Sequence, residues 1–146
     1  MHEEIFKSLF EIVGFFNRPR QDRVLMQKAG VELDTALFPL LVRIGMLGPV
    51  GVVELAEHVH RDHSTVSRQV DKVIALGLAT SKNGVPDRRV RKIALSASGR
   101  AALKKIVDAR RILMKEALKD WKESELATMR TTLEHLTETL RANAAP

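Results

Sequence analysis

The stretch of sequence that decides the fold runs from residue 52 to residue 95 and reads VVELAEHVHRDHSTVSRQVDKVIALGLATSKNGVPDRRVRKIAL. It predicts two helices, 52–59 and 63–76, because apolar residues recur in each at the spacing of a helical face. The turn His60-Arg61-Asp62 separates them, and its Asp62 suits the N-cap of the second helix. Gly77 is a typical residue just past a helix C-terminus. A short helix, a tight turn and a longer helix make a helix–turn–helix pattern.

A β-hairpin is predicted directly after these helices. Residues 78–82 and 89–95 are short and strand-like, and Asn83-Gly84 followed by Pro86 supplies turn chemistry between them. Residues 50–52 are a candidate third strand. The predicted fold is therefore mainly α with a small β-wing, that is, a winged helix–turn–helix.

The exposed face of the second helix carries the first functional signal. If Val66, Val70 and Val73 point inward, hydroxyl and cationic residues point outward. Short side chains let a helix enter the major groove closely, and arginine can bind guanine through two hydrogen bonds. The same face on an isolated helix is also typical of an ordinary solvated surface. The candidate DNA-contacting residues here are Arg61, Ser64, Thr65, Ser67, Arg68 and Lys72, with Asp71 as an acidic exception.

The hairpin carries the second signal. Residues 82–92 contain five basic residues and one acid, a net charge of +4. Arginine at a hairpin tip can reach the minor groove, where negative potential is concentrated. A charged tip alone is usually only solvated, and it also protects a sheet edge from aggregation. Because the two basic surfaces are adjacent, we favour DNA binding, which adds the candidates Lys82, Asp87, Arg88, Arg89 and Arg91.

Further helices are predicted on both sides of this region. The first ends near Asn17-Arg18-Pro19, and others cover 22–29, the segment after Asp34, the segment after Ser96 or Ser98, and the segment from Ser124. The first and the last two have apolar faces broader than a winged helix needs. We therefore expect a homodimer in which residues 1–30 and 100–146 supply the dimerisation helices around a DNA-binding unit, 31–99. The alternative is that these stripes pack within one chain.

The motifs between residues 52 and 105 resemble the MarR (multiple antibiotic resistance regulator) family of winged-helix transcription factors. The matching residues are Leu55-Ala56-Glu57, Ser64-Thr65-Val66, Arg68, Val70-Asp71, Gly77-Leu78, Asp87-Arg88-Arg89, Leu95-Ser96 and Gly99. The flanking helices agree with the family in length and order. Two features depart from its pattern: Val73 stands where leucine is common, and the segment 83–86 of the wing is slightly short.

The resemblance implies a homodimeric transcriptional regulator, typically a repressor that binds a pseudo-palindromic operator and is released by a small molecule. On this basis Ser64, Thr65 and Arg68 would contact the major groove. Arg88 and Arg89 would enter or line the minor groove, with Asp87 orienting them. An unpaired carboxylate at Asp71 would repel phosphate, so we predict a salt bridge from Asp71 to an arginine of the wing or the turn, or else a surface charge without a role.

The resemblance also implies a small-molecule effector, commonly an aromatic acid. Aromatic residues beside a cation could hold its carboxylate, although ordinary core and surface roles explain these residues equally well. The candidates are Phe15, Phe16, Arg18, Phe38, Arg43 and Met46. His58, His60 and His63 have a spacing that suggests a metal site, but they straddle a helix end, a turn and a helix start. We therefore predict no metal and no cofactor.

Composition limits the remaining classes of function. The chain has 146 residues, a formal net charge of +6 and no cysteine, which excludes disulfides and thiolate chemistry. Its start lacks the basic region of a secretory signal, no apolar run could span a membrane, and we expect a cytoplasmic location. There is no phosphate loop, nucleophile elbow or H-E-x-x-H motif, so we do not expect an enzyme. A winged helix used only for protein contacts stays open as the alternative to DNA binding.

Overall fold

The computed structural model describes residues 1–82 and 91–144, with Lys82 described by its backbone alone. Seven helices and three short strands follow one another along these residues. The helices are α1 (His2–Phe16), α2 (Pro19–Ala29), α3 (Phe38–Leu47), α4 (Val52–Val59), α5 (His63–Ala75), α6 (Ala97–Ala117) and α7 (Glu123–Asn143). The strands are β1 (Val50–Gly51), β2 (Ala79–Lys82) and β3 (Lys92–Leu95), and a 3₁₀ turn covers Thr35–Leu37.

The three strands form an antiparallel sheet in the order β1-β3-β2. Val50 lies opposite Ile93, and Ala79 lies opposite Leu95. The predicted hairpin and the predicted third strand are therefore both present. We call residues 79–95 the wing; its segment 83–90 lies outside the described residues.

Two prolines set where helices begin. Pro19 is the first residue of α2, and Pro39 is the second residue of α3. Proline fits there because its fixed φ is already helical and its missing N–H would have had no partner. The helix predicted over 22–29 consequently starts three residues earlier, and the helix predicted after Asp34 starts at Phe38.

The helix boundaries otherwise follow local capping chemistry. The Asp34 side chain accepts a hydrogen bond from the Ala36 backbone N–H at 2.9 Å and opens the 3₁₀ turn. Of the two candidate caps of α6, it is Ser96 whose Oγ accepts from the Gly99 N–H, at 3.0 Å. Helix α7 begins one residue before Ser124, where Glu125 Oε2 accepts from the Lys122 N–H at 2.8 Å.

The core lies among α3, α4, α5, the sheet and the first half of α6. Its largest fully buried side chains are Leu40, Leu41, Ile44, Val50, Leu55, Val66, Val70, Val73, Ile93 and Ile106. The chain consists of two compact units, Met1–Arg111 and Ile112–Pro146, and this core belongs to the first unit. In the described part of the chain, no helix combines the length and the apolar character needed to cross a bilayer.

Gly99 holds the start of α6 close to the end of α5. A Cβ on Gly99 would stand 1.8 Å from the carbonyl oxygen of Leu78 and 2.8 Å from its carbon. The same carbonyl accepts a hydrogen bond from the Ser96 N–H at 3.0 Å, so the backbone is held in place. Only glycine permits this approach, which connects the α5–β2 junction to α6.

We expect Gly99→Ala to lower the free energy of unfolding by about 1–3 kcal/mol or more, because the added methyl meets backbone rather than a movable side chain. Gly51→Ala is the control, because nothing lies within 4 Å of its Cβ position and its φ of −74° suits any residue. It should change the free energy of unfolding by less than about 1 kcal/mol. Urea denaturation followed by circular dichroism measures both, and equal midpoints for the two variants would contradict this account of Gly99.

Candidate nucleic-acid interface

Asp62 organises the first turn of α5. Its Oδ1 accepts the Thr65 backbone N–H at 2.8 Å and the Ser64 hydroxyl at 2.6 Å. Its Oδ2 accepts the Thr65 hydroxyl, also at 2.6 Å. The predicted N-cap is therefore present, and it fixes the direction in which both hydroxyl groups donate.

The three hydrogen bonds that the Asp62 carboxylate accepts lower its pKa. Hydrogen bonds from the Ser64 side chain, the Thr65 side chain and the Thr65 backbone hold the pKa of Asp62 well below its usual range. Each donor favours the charged form, because only an ionised carboxylate accepts all of them. Asp62 is therefore an anion at every pH near neutrality.

The outward face of α5 is polar, as the helical spacing predicts. Val66, Val70 and Val73 are fully buried on the opposite side. Ser64, Arg68 and Lys72 are exposed, whereas Thr65, Ser67 and Asp71 are half-buried. Within this face, Arg68 Nη2 lies 3.5 Å from the Thr65 hydroxyl oxygen. The result is a surface of one exposed hydroxyl group and two exposed cations on one helix, bordered by two half-buried hydroxyl groups.

Arg61 connects the turn before α5 to two other segments. Its Nη1 donates to the Ala36 carbonyl and to Gln69 Oε1, each at 2.8 Å. These bonds join the 3₁₀ turn to the middle of α5 through one guanidinium group. Sequence reasoning missed this role, since nothing local relates Arg61 to a carbonyl 25 positions away.

Asp71 forms the predicted ion pair with an arginine of the wing. Arg91 Nη2 lies 2.9 Å from Asp71 Oδ1, and the two side chains are 10% and 39% exposed. Arg91 Nε is buried with no hydrogen-bond partner among the described residues. The pair joins α5 to the start of β3, which orients the wing relative to the helix.

The burial of Arg91 fits a supporting role better than the direct DNA contact expected from the sequence. Arg91, Ile93 and Leu95 alternate along the chain and are all buried, while Lys92 between them is exposed. This period of two is the normal signal for one face of a strand. The alternation is visible in the sequence, whereas the positive charge of Arg91 suggests an exposed residue.

Loss of the Asp71 carboxylate should destabilise the protein. In Asp71→Ala the Arg91 guanidinium stays buried and loses an anionic partner, which should cost about 1–3 kcal/mol. Asp108→Ala is the control, because Asp108 binds the exposed cations Lys104 and Arg111 at 2.6 Å each. Exposed ion pairs contribute little, so thermal unfolding should shift clearly for Asp71→Ala and much less for Asp108→Ala. The reverse order would contradict a structural role for the Asp71–Arg91 pair.

The candidate effector residues occupy two places. Phe15 and Phe16 contact edge to face with centroids 5.4 Å apart, and Arg18 Cζ lies 5.9 Å from the centre of the Phe15 ring. These three residues form a cluster at the end of α1. The other three lie on α3, where Phe38 is half-buried and Arg43 and Met46 are exposed.

The remaining candidate residues are those of the wing and the three histidines considered as metal ligands. The side chain of Lys82 and the wing residues Asp87, Arg88 and Arg89 lie outside the described residues. His58 lies in the last turn of α4, His60 adopts a left-handed φ of 55° in the turn, and His63 begins α5. Across residues 1–82 and 91–144, no three His, Cys, Asp or Glu side chains are grouped so that they could hold a metal ion.

Comparison with known proteins gives a match to solved structures. A MarR family protein from Bacillus stearothermophilus superposes with a TM-score of 0.80 at 20% identity, over 97% of this chain and 99% of the other. The chain has the MarR fold. The MarR of Staphylococcus aureus, solved with salicylate and kanamycin, gives a TM-score of 0.76 at 16% identity over 98% and 94%. The apo MarR of E. coli gives 0.69 at 22% over 88% and 96%.

No protein-family model and no curated protein matches the sequence. The chain is therefore similar to these proteins in three-dimensional structure, although the sequence identity is low. It confirms the winged helix–turn–helix predicted from residues 52–95 and extends the agreement to the flanking helices. In the MarR fold of this chain, α4 and α5 form the helix–turn–helix, and β2 and β3 form the wing.

Proposed function

We propose that this protein is a dimeric, sequence-specific DNA-binding regulator of transcription, a repressor of the MarR type without catalytic activity or cofactor. The observation that carries the proposal is the exposed face of α5, where Ser64, Arg68 and Lys72 stand opposite three buried valines. A helix held in this way can insert its polar face into the major groove. Since its target is the chromosome, we expect it to act in the cytoplasm.

Charge and chemistry support separate roles for the two parts of the surface. Arg68 is suited to guanine, whose two major-groove acceptors match a guanidinium fork. Arg61 and Lys72 flank it, and Ser67 lies half-buried on the same helix. In the wing, Lys82, Arg88 and Arg89 would approach the minor groove with Asp87 orienting the arginines, while Arg91 and Asp71 hold the wing in position.

Binding should be specific for sequence and steeply dependent on salt. The protein is used to enrich a duplex from a randomised pool, and affinities for that duplex and a scrambled one are measured by fluorescence anisotropy. Each phosphate contact should add about 0.9 to the slope of log affinity against log salt. Arg68→Ala should weaken the selected complex by roughly 5- to 150-fold, the range of one good arginine–base contact.

Arg111→Ala is the matched control for this prediction, because Arg111 is also exposed but pairs with Asp108 on α6. It should leave the affinity within about twofold, since an exposed ion pair contributes little. If no duplex is enriched and no binding occurs at low salt, the DNA-binding function is wrong. A winged helix that contacts only proteins would then be the better interpretation.

The apolar surface of α1 supports dimerisation. None of the fifteen residues of α1, all of them described, is buried in the single chain. Phe6 and Phe10 stack with centroids 6.3 Å apart, and they remain 63% and 70% exposed. A patch of this kind is characteristic of an interface. With two copies, two α5 helices would address half-sites roughly 34 Å apart on a pseudo-palindromic operator.

A charge on the apolar face of α1 should dissociate the dimer. Phe10→Lys places an ammonium group among the aromatic residues and should give a monomer in analytical ultracentrifugation at micromolar concentration. Glu11→Lys is the control, because it introduces the same side chain at the next position, about 100° around the helix. A dimer that tolerates Phe10→Lys as well as Glu11→Lys would exclude α1 from the interface.

A small-molecule effector completes the proposal. Arg18 beside Phe15 and Phe16 combines a cation with aromatic faces, which is suitable for an aromatic carboxylate. The S. aureus MarR was solved with salicylate, an aromatic acid. Phe38, Arg43 and Met46 on α3 are the further candidates. Such a ligand would release DNA by favouring a spacing of the two α5 helices that does not match the half-sites.

A further inference from the structure

The hydroxyl groups of Ser64 and Thr65 have no hydrogen left to donate. A serine or threonine hydroxyl offers one O–H donor and two acceptor lone pairs. Both donors are used by Asp62, at oxygen–oxygen distances of 2.6 Å. Towards any further partner, the two oxygens can therefore act only as hydrogen-bond acceptors.

The direction of these bonds is fixed by the charge of Asp62. An ionised carboxylate has no hydrogen, so the hydroxyl groups must be the donors. Distances of 2.6 Å are also those of charge-assisted O–H···O⁻ bonds. The same bonds lower the pKa of Asp62, which keeps the carboxylate charged and the arrangement unchanged throughout the ordinary pH range.

An acceptor-only hydroxyl discriminates among the groups on DNA. Phosphate oxygens, guanine O6 and N7, and thymine O4 are all acceptors and would face a lone pair rather than a hydrogen. The major-groove donors are the amino groups at adenine N6 and cytosine N4. The negative charge of Asp62 further disfavours a phosphate at this point of the surface.

Ser64 is the better placed of the two oxygens. It is exposed, whereas Thr65 is half-buried, and the lone pairs of Thr65 already face Arg68 Nη2 at 3.5 Å. We propose that Ser64 Oγ accepts a hydrogen bond from the exocyclic amino group of an adenine or cytosine in each half-site, and that Asp62 is the positioning residue that imposes this preference. This inference rests on the proposed DNA-binding function and specifies the bases that it recognises.

The test uses the duplex enriched by the wild-type protein. Each adenine of a half-site is replaced in turn by purine, and each cytosine by pyrimidin-2-one, which removes only the amino group. Affinities are measured by fluorescence anisotropy for the wild type and for Ser64→Ala. At one position the wild type should lose about five- to tenfold, the effect of one unsatisfied hydrogen bond. Ser64→Ala should bind that modified duplex and the unmodified one equally.

A second variant tests the role of Asp62. In Asp62→Gly the carboxylate is removed, while α5 can still begin at this position because glycine is tolerated at an N-cap. The Ser64 hydroxyl, which donates to Asp62 Oδ1 in the wild type, then becomes free to donate to a base carbonyl. At the position identified with Ser64→Ala, this variant should discriminate less against thymine or guanine than the wild type does. Asp34→Gly is the control, because it removes a capping carboxylate from the 3₁₀ turn and not from α5.

The outcomes separate this inference from the function on which it rests. If the wild type enriches no duplex, the DNA-binding proposal fails and the inference fails with it. If a duplex is enriched but every amino-group deletion affects the wild type and Ser64→Ala equally, the regulator stands and the role of Ser64 is wrong. A loss for Ser64→Ala that is uniform across all duplexes, scrambled ones included, would indicate a phosphate contact and would also overturn it.

Discussion

Burial of one face of α5 is the constraint on which the rest of the structure depends. Val66, Val70 and Val73 are fully buried against the core, and burying a valine side chain is worth about 1.5–3 kcal/mol. Rotation of the helix would expose these methyl groups and bury Arg68 or Lys72 without partners. The apolar face therefore determines which polar residues of α5 reach solvent, and so which side chains the proposed DNA-binding surface contains.

Polar contacts then add precision that apolar packing cannot supply. Asp62 sets the direction of two hydroxyl groups at the start of the helix. Arg61 joins its middle to the 3₁₀ turn, and the Asp71–Arg91 pair joins it to the wing. A binding surface is rigid only if neighbouring residues hold its side chains in place and the helix that carries them is correctly positioned. In this protein the neighbours come from three different segments of the first unit.

Two parts of the described surface differ in chemical character. The face of α5 is polar and cationic, whereas α1 exposes aromatic residues and has no buried residue of its own. A small winged helix does not need such an apolar helix for its own core. The two surfaces thus suit two different partners, a polyanion and a second apolar surface, and this separation supports the proposal of a dimeric DNA-binding protein.

Sequence by itself determined the helix–turn–helix, its cap at Asp62 and the inward face of α5, because helical periodicity and capping depend on residues within a few positions of one another. It also located the hairpin, and it indicated that Asp71 needed a cation. Only the tertiary structure decided that the cation is Arg91, that Arg61 binds Ala36 and Gln69, and that Gly99 meets Leu78. The contacts Arg91–Asp71, Arg61–Ala36 and Gly99–Leu78 each join residues about 20 or more positions apart in the sequence. Such residues come together only when the core packs. The local sequence pattern predicts which residues of a helix or strand face solvent. Which residues of distant segments pair with one another depends on how the helices and strands pack.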